Sequence, residues 1–246
     1  MDITRYSINS DRFDGRMRIA LVADLHGVDF NAVISACRDM SPDCIAVAGD
    51  LTDDLASSEP DIVAINESGF EFLHQATAVA PVFYSFGNHE RNCTDEGIDA
   101  VKRTGATLLN DSYIYFGGMY IGGLMSGFIG ANKRHAYFTP PPNVEWLDTF
   151  AALDRFKLLI CHHPEYYPKF IRPRDIDLTL SGHAHGGQIR LGRQGIYASG
   201  QGLFPKYTAG LVDGRLIISR GLANHTPVPR LFNPAELVFV DINFDR

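Results

Sequence analysis

The sequence predicts an α/β fold in which two mixed β-sheets pack face to face between outer helices, a four-layer αββα sandwich. Three observations carry this. Apolar, β-branched runs alternate with helical spacing three times in the first half of the chain. Each of those runs stops at a short polar cluster. The second half then changes to short strands separated by Gly- and Pro-rich turns, which calls for a second sheet packed on the first.

Residues 17–23 (MRIALVA) form an uninterrupted apolar run and read as a fully buried strand ending at Asp24-Leu25-His26-Gly27. Residues 29–40 have helical spacing, with Phe30, Val33, Ile34 and Cys37 on one face, and Ser41-Pro42-Asp43 breaks the helix. A second buried strand at 44–48 stops at Gly49-Asp50. A helix over 61–79 follows, weakened by Gly69. A third strand at 81–86 stops at Gly87-Asn88-His89-Glu90, and a third helix covers 95–104. Open α/β sheets place their sites outside the carboxyl ends of the strands, where these clusters fall. Further on, strands are expected at 112–123, 157–161, 176–180, 189–191, 206–211, 216–220 and 237–242. A helix is expected at 144–153 and a hairpin turn at Asp213-Gly214. Residues 1–18 read as polar, with no strand assigned. No repeat or linker interrupts the chain, so 1–246 is expected to be one domain.

The bulk numbers exclude several classes. The net charge is −7 and no Lys/Arg run occurs, so there is no electrostatic footprint for nucleic acid. No apolar stretch of about 18 residues appears, and no signal core. The four cysteines are scattered in apolar runs without a Cys-x-x-Cys pair. A cytoplasmic protein with reduced thiols and no transmembrane anchor is expected.

The chemistry centres on Ser181-Gly182-His183-Ala184-His185-Gly186-Gly187-Gln188, directly after the 176–180 strand. Histidines one residue apart in an extended segment point to opposite sides. Turns at Gly182 and Gly186 would bring both rings to one cluster. Taken alone, Asp24 reads better as a helix cap, and Asp50 and Asn88 can be turn residues for the same reason. Taken together, Asp24, His26, Asp50, Asn88, His89, His162, His183 and His185 all lie at predicted strand ends. Carboxylate, imidazole and amide oxygen suit two divalent ions: Mn²⁺, Fe²⁺ or Zn²⁺, with Mn²⁺ favoured. Asp50 stands alone in the set and is the natural bridge between ions about 3.5–4 Å apart. His162 and His163 are neighbours, and either suits a ligand role.

Asp24-x-His26, Gly49-Asp50, Gly87-Asn88-His89-Glu90, His162-x-Pro164 and Gly182-His183-x-His185 come in the order and spacing of the calcineurin-like metallophosphoesterases, which the chain resembles from about Arg18 to Ile242. The His183–Ile189 segment and the late Ser219-Arg220-Gly221, Pro229-Arg230-Leu231 and Pro234-Ala235-Glu236 segments resemble a bacterial branch. That branch includes membrane- or wall-associated phosphodiesterases and a UDP-2,3-diacylglucosamine diphosphate hydrolase. The resemblance implies that Asp24, His26 and His185 hold one ion, that Asn88, His162 and His183 hold the other, and that Asp50 bridges them. It favours His162 over His163. It implies that His89 protonates the leaving oxygen, with Glu90 orienting His89. It also implies phosphodiester hydrolysis by in-line attack of a water activated between the ions.

Arg91, the Gly187 backbone N–H and His225 are candidate substrate contacts. Asp53 and Asp54 read as surface or capping residues, and His135 as part of a solvated loop at 127–142. Phe128, Phe138, Phe204 and Tyr207 read as packing residues that could also rim an acyl-chain site. Rival activities are a phosphomonoesterase or protein phosphatase, a hydrolase of lipid-linked nucleotide sugars, and a metal-bearing interaction scaffold. The expected partner is a phosphate-ester small molecule or a lipid-linked nucleotide. Peripheral membrane contact stays open.

Overall fold

The computed structural model describes residues 1–55, 57–129, 139–224 and 228–244. Its elements, in chain order, begin with β1 (Asp2–Ser10), β2 (Arg16–Val22), α1 (Asn31–Met40), β3 (Cys44–Ala48), α2 (Pro60–Thr77) and β4 (Val82–Ser85). Then come α3 (Asp95–Arg103), β5 (Thr107–Leu108), β6 (Ser112–Phe116), β7 (Met119–Leu124), α4 (Val144–Ala151), β8 (Lys157–Cys161) and β9 (Leu178–Ser181). Two short hairpins follow, β10 (Arg190–Leu191) with β11 (Gln194–Gly195), and β12 (Tyr197–Ala198) with β13 (Gly202–Leu203). The chain closes with β14 (Gly210–Val212), β15 (Leu216–Ile218) and β16 (Glu236–Phe244).

Two six-stranded mixed sheets result, ordered β1-β16-β2-β3-β4-β5 and β14-β15-β9-β8-β7-β6. In the first, β2, β3 and β4 run parallel, as the repeated strand–helix pattern requires. In the second, β7, β8, β9 and β15 run parallel, with β6 and β14 antiparallel at the edges. Three apolar layers hold the sandwich together. Between the sheets lie Ile19, Leu21, Phe83, Ile121, Leu158, Ile160 and Val238. Outside the first sheet, Val33, Ile34, Phe72, Leu73 and Val101 of the helices pack on Ile45, Val47 and Tyr84. Outside the second, Leu147 and Phe150 of α4 pack on Leu124, Leu159 and Cys161. The predicted four-layer order is the one observed. Among the described residues no helix is long and apolar enough to cross a membrane.

Short strands β5, β11, β12 and β13 have no counterpart in the sequence expectations, and three larger elements differ from them. The 112–123 run is two strands, not one, because Gly117 and Gly118 adopt positive φ and turn the chain back on itself. Residues 2–10, read only as polar and given no element, form a nine-residue edge strand parallel to β16. The 206–211 strand begins only at Gly210.

Candidate metal centre

Five loops at the carboxyl ends of β2, β3, β4, β8 and β9 meet at one end of the sandwich. Backbone bonds lace them together. The Asp24 N–H donates to the Gly49 carbonyl (3.2 Å), the His26 N–H to the Asp50 carbonyl (3.2 Å), and the Gly182 N–H to the His162 carbonyl (3.1 Å). Side chains add to this. Asp24 accepts the His183 N–H at 3.0 Å, and Asp50 Oδ1 accepts the His89 N–H at 2.9 Å.

The turning is done by the site residues themselves. Asp24, His26, Asp50, His183 and His185 all have φ between 43° and 66°. That left-handed region is unfavourable for residues with a Cβ, and residues are held there mostly at functional sites. The expectation of a turn at Gly182 is corrected here, since the backbone reverses at His183 and His185, with Gly186 at φ 64°. Gly182 is small for another reason: a Cβ would lie 2.6 Å from the Ala23 Cβ and 2.8 Å from Asp24 Oδ2. Gly87 leaves the same kind of room, since a Cβ would sit 2.2 Å from Asp50 Oδ1.

Two buried groups of potential ligands result. In one, Asp24, His26 and His185 bring ligand atoms within 4.8 Å of one another, and in the other Asp50, His162 and His183 do the same. Asp50 Oδ2 lies 3.0 Å from His162 Nε2 and 3.9 Å from His26 Nε2, so one carboxylate faces both groups. Asn88 Oδ1 is 3.1 Å from His162 Nε2. His162 Nδ1 donates to the Ala48 carbonyl at 2.7 Å, so a neutral ring would turn its Nε2 lone pair towards two oxygens. Such an arrangement needs a positive charge in the middle.

A proton answers that need in the metal-free chain. Burial disfavours charge on His162, but Asp50 overrides it and lifts the imidazole to about 10. Asp50 is also opposed by burial, and its histidine neighbours hold it well below the usual carboxylate range. Burial pushes His183 and His185 down, leaving neutral rings suited to metal. His183 Nε2 is buried 3.6 Å from Glu165 Oε1 without a hydrogen-bond partner, so a ligand role falls to its Nδ1. Converging acceptors, neutral rings and a shared carboxylate fit a pair of divalent cations. His163 is outside this convergence, since its nitrogens face Ser126 Oγ (2.7 Å) and Glu165 Oε1 (3.2 Å).

His89 sits half-buried at the rim, with Nε2 3.9 Å from Asp50 Oδ2 and Nδ1 2.7 Å from Asp53 Oδ1. Burial lowers its pKa, but Asp50 and the Asp53 contact prevail and raise it to about 9. Asp53, expected at the surface, is therefore a buried partner of His89. Its signal was the carboxylate three residues after Asp50. Glu90 does not orient His89 by contact. Its carboxylate accepts the N–H groups of Asp50, Leu51, Thr52 and Gly87 and the Tyr84 hydroxyl at 2.7 to 3.1 Å. Burial and Asp50 raise its pKa. Glu90 thus clamps the loops after β3 and β4, while its charge acts on His89 through space.

Arg91 is half-buried and lines a cavity of about 340 Å³ with His89, Asp53 and Asp54. Its Nε is buried without a hydrogen-bond partner. Gly187 does not offer its N–H outward, because it donates to the Ala184 carbonyl at 2.7 Å. A Cβ there would lie 2.5 Å from the Gly195 Cα, so its smallness serves hairpin packing. His225, His135 and Phe138 lie outside the described residues. Phe204 is 67% exposed, so it is not a packing residue, whereas Tyr207 is buried.

The late segment supplies a support that no expectation assigned. Arg230 donates to the carbonyls of Ala223 (2.7 Å) and Arg220 (2.8 Å), behind the Asp24 loop. Asn233 Nδ2 donates to the carbonyls of His185 (2.7 Å) and Gln188 (3.0 Å).

A sequence model of the family described as calcineurin-like phosphoesterase matches residues 17–187. The chain is 27% identical over 239 residues to an uncharacterized metallophosphoesterase of Campylobacter jejuni, covering 91% of this chain and 57% of that one. It is 29% identical over 189 residues to a protein of Escherichia coli named phosphodiesterase YaeI, covering 71% and 62%. The chain spans about half the length of the first curated relatives it matches. Among solved structures, a dimetal phosphatase from Danio rerio superposes with a TM-score of 0.57 at 12% identity, covering 85% of this chain and 88% of that one. That likeness concerns the fold.

Proposed function

The chain belongs to the calcineurin-like phosphoesterase family, and from that premise we propose that it is a metal-dependent phosphodiesterase. The observation that carries the reading is the pair of buried ligand groups joined through Asp50, with His89 at the open rim. The diester preference rests on the name of the Escherichia coli relative. Asp24, His26 and His185 would hold one cation and Asn88, His162 and His183 the other, with Asp50 between them. Two divalent cations there, Mn²⁺ in our first choice, would acidify water and neutralise phosphoryl oxygens.

The chain's own groups do the rest. Protonated His89, held by Asp53, delivers a proton to the departing oxygen. Arg91 reaches a phosphoryl oxygen from the adjoining cavity. Glu90 holds the loops after β3 and β4 in register, so that Asp50, Asn88 and His89 stay aligned. A substrate with an apolar portion, such as a lipid-linked nucleotide, is favoured by one further observation. Leu203, Phe204 and Phe232 are 70%, 67% and 83% exposed, and Tyr197 of the same hairpin lines a crevice with His183 and His185. Peripheral contact with a membrane from the cytoplasmic side belongs to this reading.

The test is hydrolysis of bis-p-nitrophenyl phosphate and p-nitrophenyl phosphate by metal-stripped protein after Mn²⁺, Zn²⁺ or Mg²⁺ is returned. Metal-dependent cleavage that favours the diester is expected. His89→Ala should lose that cleavage while still binding two ions. Preferential cleavage of the monoester would overturn the diesterase reading in favour of a phosphomonoesterase.

A further inference from the structure

Beside the second ligand group lies a row of buried and half-buried polar side chains to which the mechanism gives no part. An ionised Glu165 carboxylate can only accept, so His163, whose Nδ1 is 3.2 Å from Glu165 Oε1, carries its proton there. Its Nε2 then accepts the Ser126 hydroxyl at 2.7 Å, and Ser126 Oγ in turn accepts the Phe128 N–H at 3.3 Å. Glu165 Oε1 also accepts the Thr139 hydroxyl at 2.5 Å and lies 3.6 Å from His183 Nε2. Nothing hydrogen-bonds that nitrogen. Gly200, at φ 72°, keeps the carboxylate covered, since a Cβ there would come within 2.5 Å of Glu165 Oε1.

The cluster His163, Glu165 and His183 resembles a third cation site by proximity alone. His163 argues against that, because both its nitrogens already have partners. A purely structural role also fits poorly. A carboxylate set between histidines with its Oε2 buried and unpartnered costs more than an apolar side chain would. A metal-bound imidazole, by contrast, usually gives its other ring N–H to a carboxylate, which fixes the ring and strengthens the ligand. We propose that Glu165, steered by His163 and Ser126, is a positioning residue that receives the His183 Nε2–H and so sets the affinity of the second cation. The inference rests on the ligand reading above and adds a residue outside the ligand set.

The experiment measures binding constants for Mn²⁺ or Zn²⁺ by chelator competition on the full chain, with the melting temperature of the metal-free protein as a folding control. Glu165→Gln should bind the first cation as wild type does and the second about 10- to 100-fold more weakly. His183→Ala should lose the second cation outright. Loss in His183→Ala with an unchanged second constant in folded Glu165→Gln would overturn this inference alone. Two tightly bound cations in His183→Ala would overturn the ligand reading with it. Should Glu165→Gln fail to fold, long-range ¹H–¹⁵N correlation spectra of the wild-type Zn²⁺ protein decide. A proton on His183 Nε2 is expected, and a proton on Nδ1 overturns the proposal.

Discussion

The two ends of the sandwich bury polar groups of similar kinds and treat them oppositely. At the amino ends of the second sheet, Lys157 has no exposed side-chain surface, yet its Nζ donates to the Leu153 carbonyl (2.8 Å) and to Asp175 (3.1 Å). Arg12 spans Asp175 and Asp177 at 2.6 and 3.1 Å, and Arg215 donates to the Ile176 and Arg174 carbonyls at 3.0 and 2.7 Å. Positive and negative groups meet there within the chain. At the carboxyl ends, Asp24, Asp50 and Asn88 face imidazoles whose other nitrogens are already tied to backbone, as His162 is to Ala48 and His185 to Ala223. One end is complete in itself. The other gathers oxygens and ring nitrogens around one carboxylate, and protons or cations taken from outside the chain balance it. Buried polar groups are therefore a sign of function only where their partners fail to balance within the chain.

Cation binding tests this difference most directly. At a thousandfold excess over its Kd, each bound cation should stabilise wild-type protein by about 4 kcal/mol, a rise in melting temperature of roughly 8–16 °C per cation for a chain of this size. Asp50→Asn should lose most of that rise and all turnover, because one carboxylate serves both groups. A melting temperature indifferent to cations would remove the contrast between the two ends.

The His89–Asp53 pair comes next. His89→Ala should cut kcat about 10²- to 10⁴-fold with both cations retained, the usual range for a positioned general acid. The pH profile refines this. The acid works protonated, and the folded environment lifts His89 from 6.5 to about 9. Rate should therefore fall on the alkaline side, as pH rises through the raised value. Cations beside Asp50 offset part of that carboxylate's pull, so the limb should lie between those two values. Asp53→Asn removes one raising contact and should move the limb towards lower pH. A limb unmoved in Asp53→Asn would strip Asp53 of its part.

Much of this was legible in the chain. Strands β2, β3 and β4 are unbroken apolar runs because helices cover one face of their sheet and the second sheet the other, and each ends where a site residue begins. Strand β1 was not legible. It lies at the sheet edge with only Thr4, Tyr6, Ile8 and Ser10 half-covered, so its composition is that of a surface segment. Hairpins of two-residue strands carry no period to detect. Asp53 was hidden because an Asp-Asp pair after a strand has the composition of a turn. Glu90 was misread for a geometric reason: His89–Asn92 is a 3-10 turn, so the neighbouring side chains diverge, one to the rim and one inward. Arg230 and Asn233 act through backbone carbonyls, a use that leaves no spacing in the sequence.

The smallest expected effect belongs to the completed end. Lys157→Met keeps the length of the side chain and removes its charge and donors. The Leu153 carbonyl loses its lysine donor, which costs about 1–2 kcal/mol, while Asp175 is 63% exposed and keeps water and Arg12. Denaturant unfolding should show a loss of that size with an unchanged slope. Both cation constants and kcat should match wild type, since the substitution lies at the start of β8 and His162 follows its end. A variant that bound cations or turned over substrate differently would mean that the ends are coupled through β8, and that the division between a self-balanced end and a cation-dependent end is wrong.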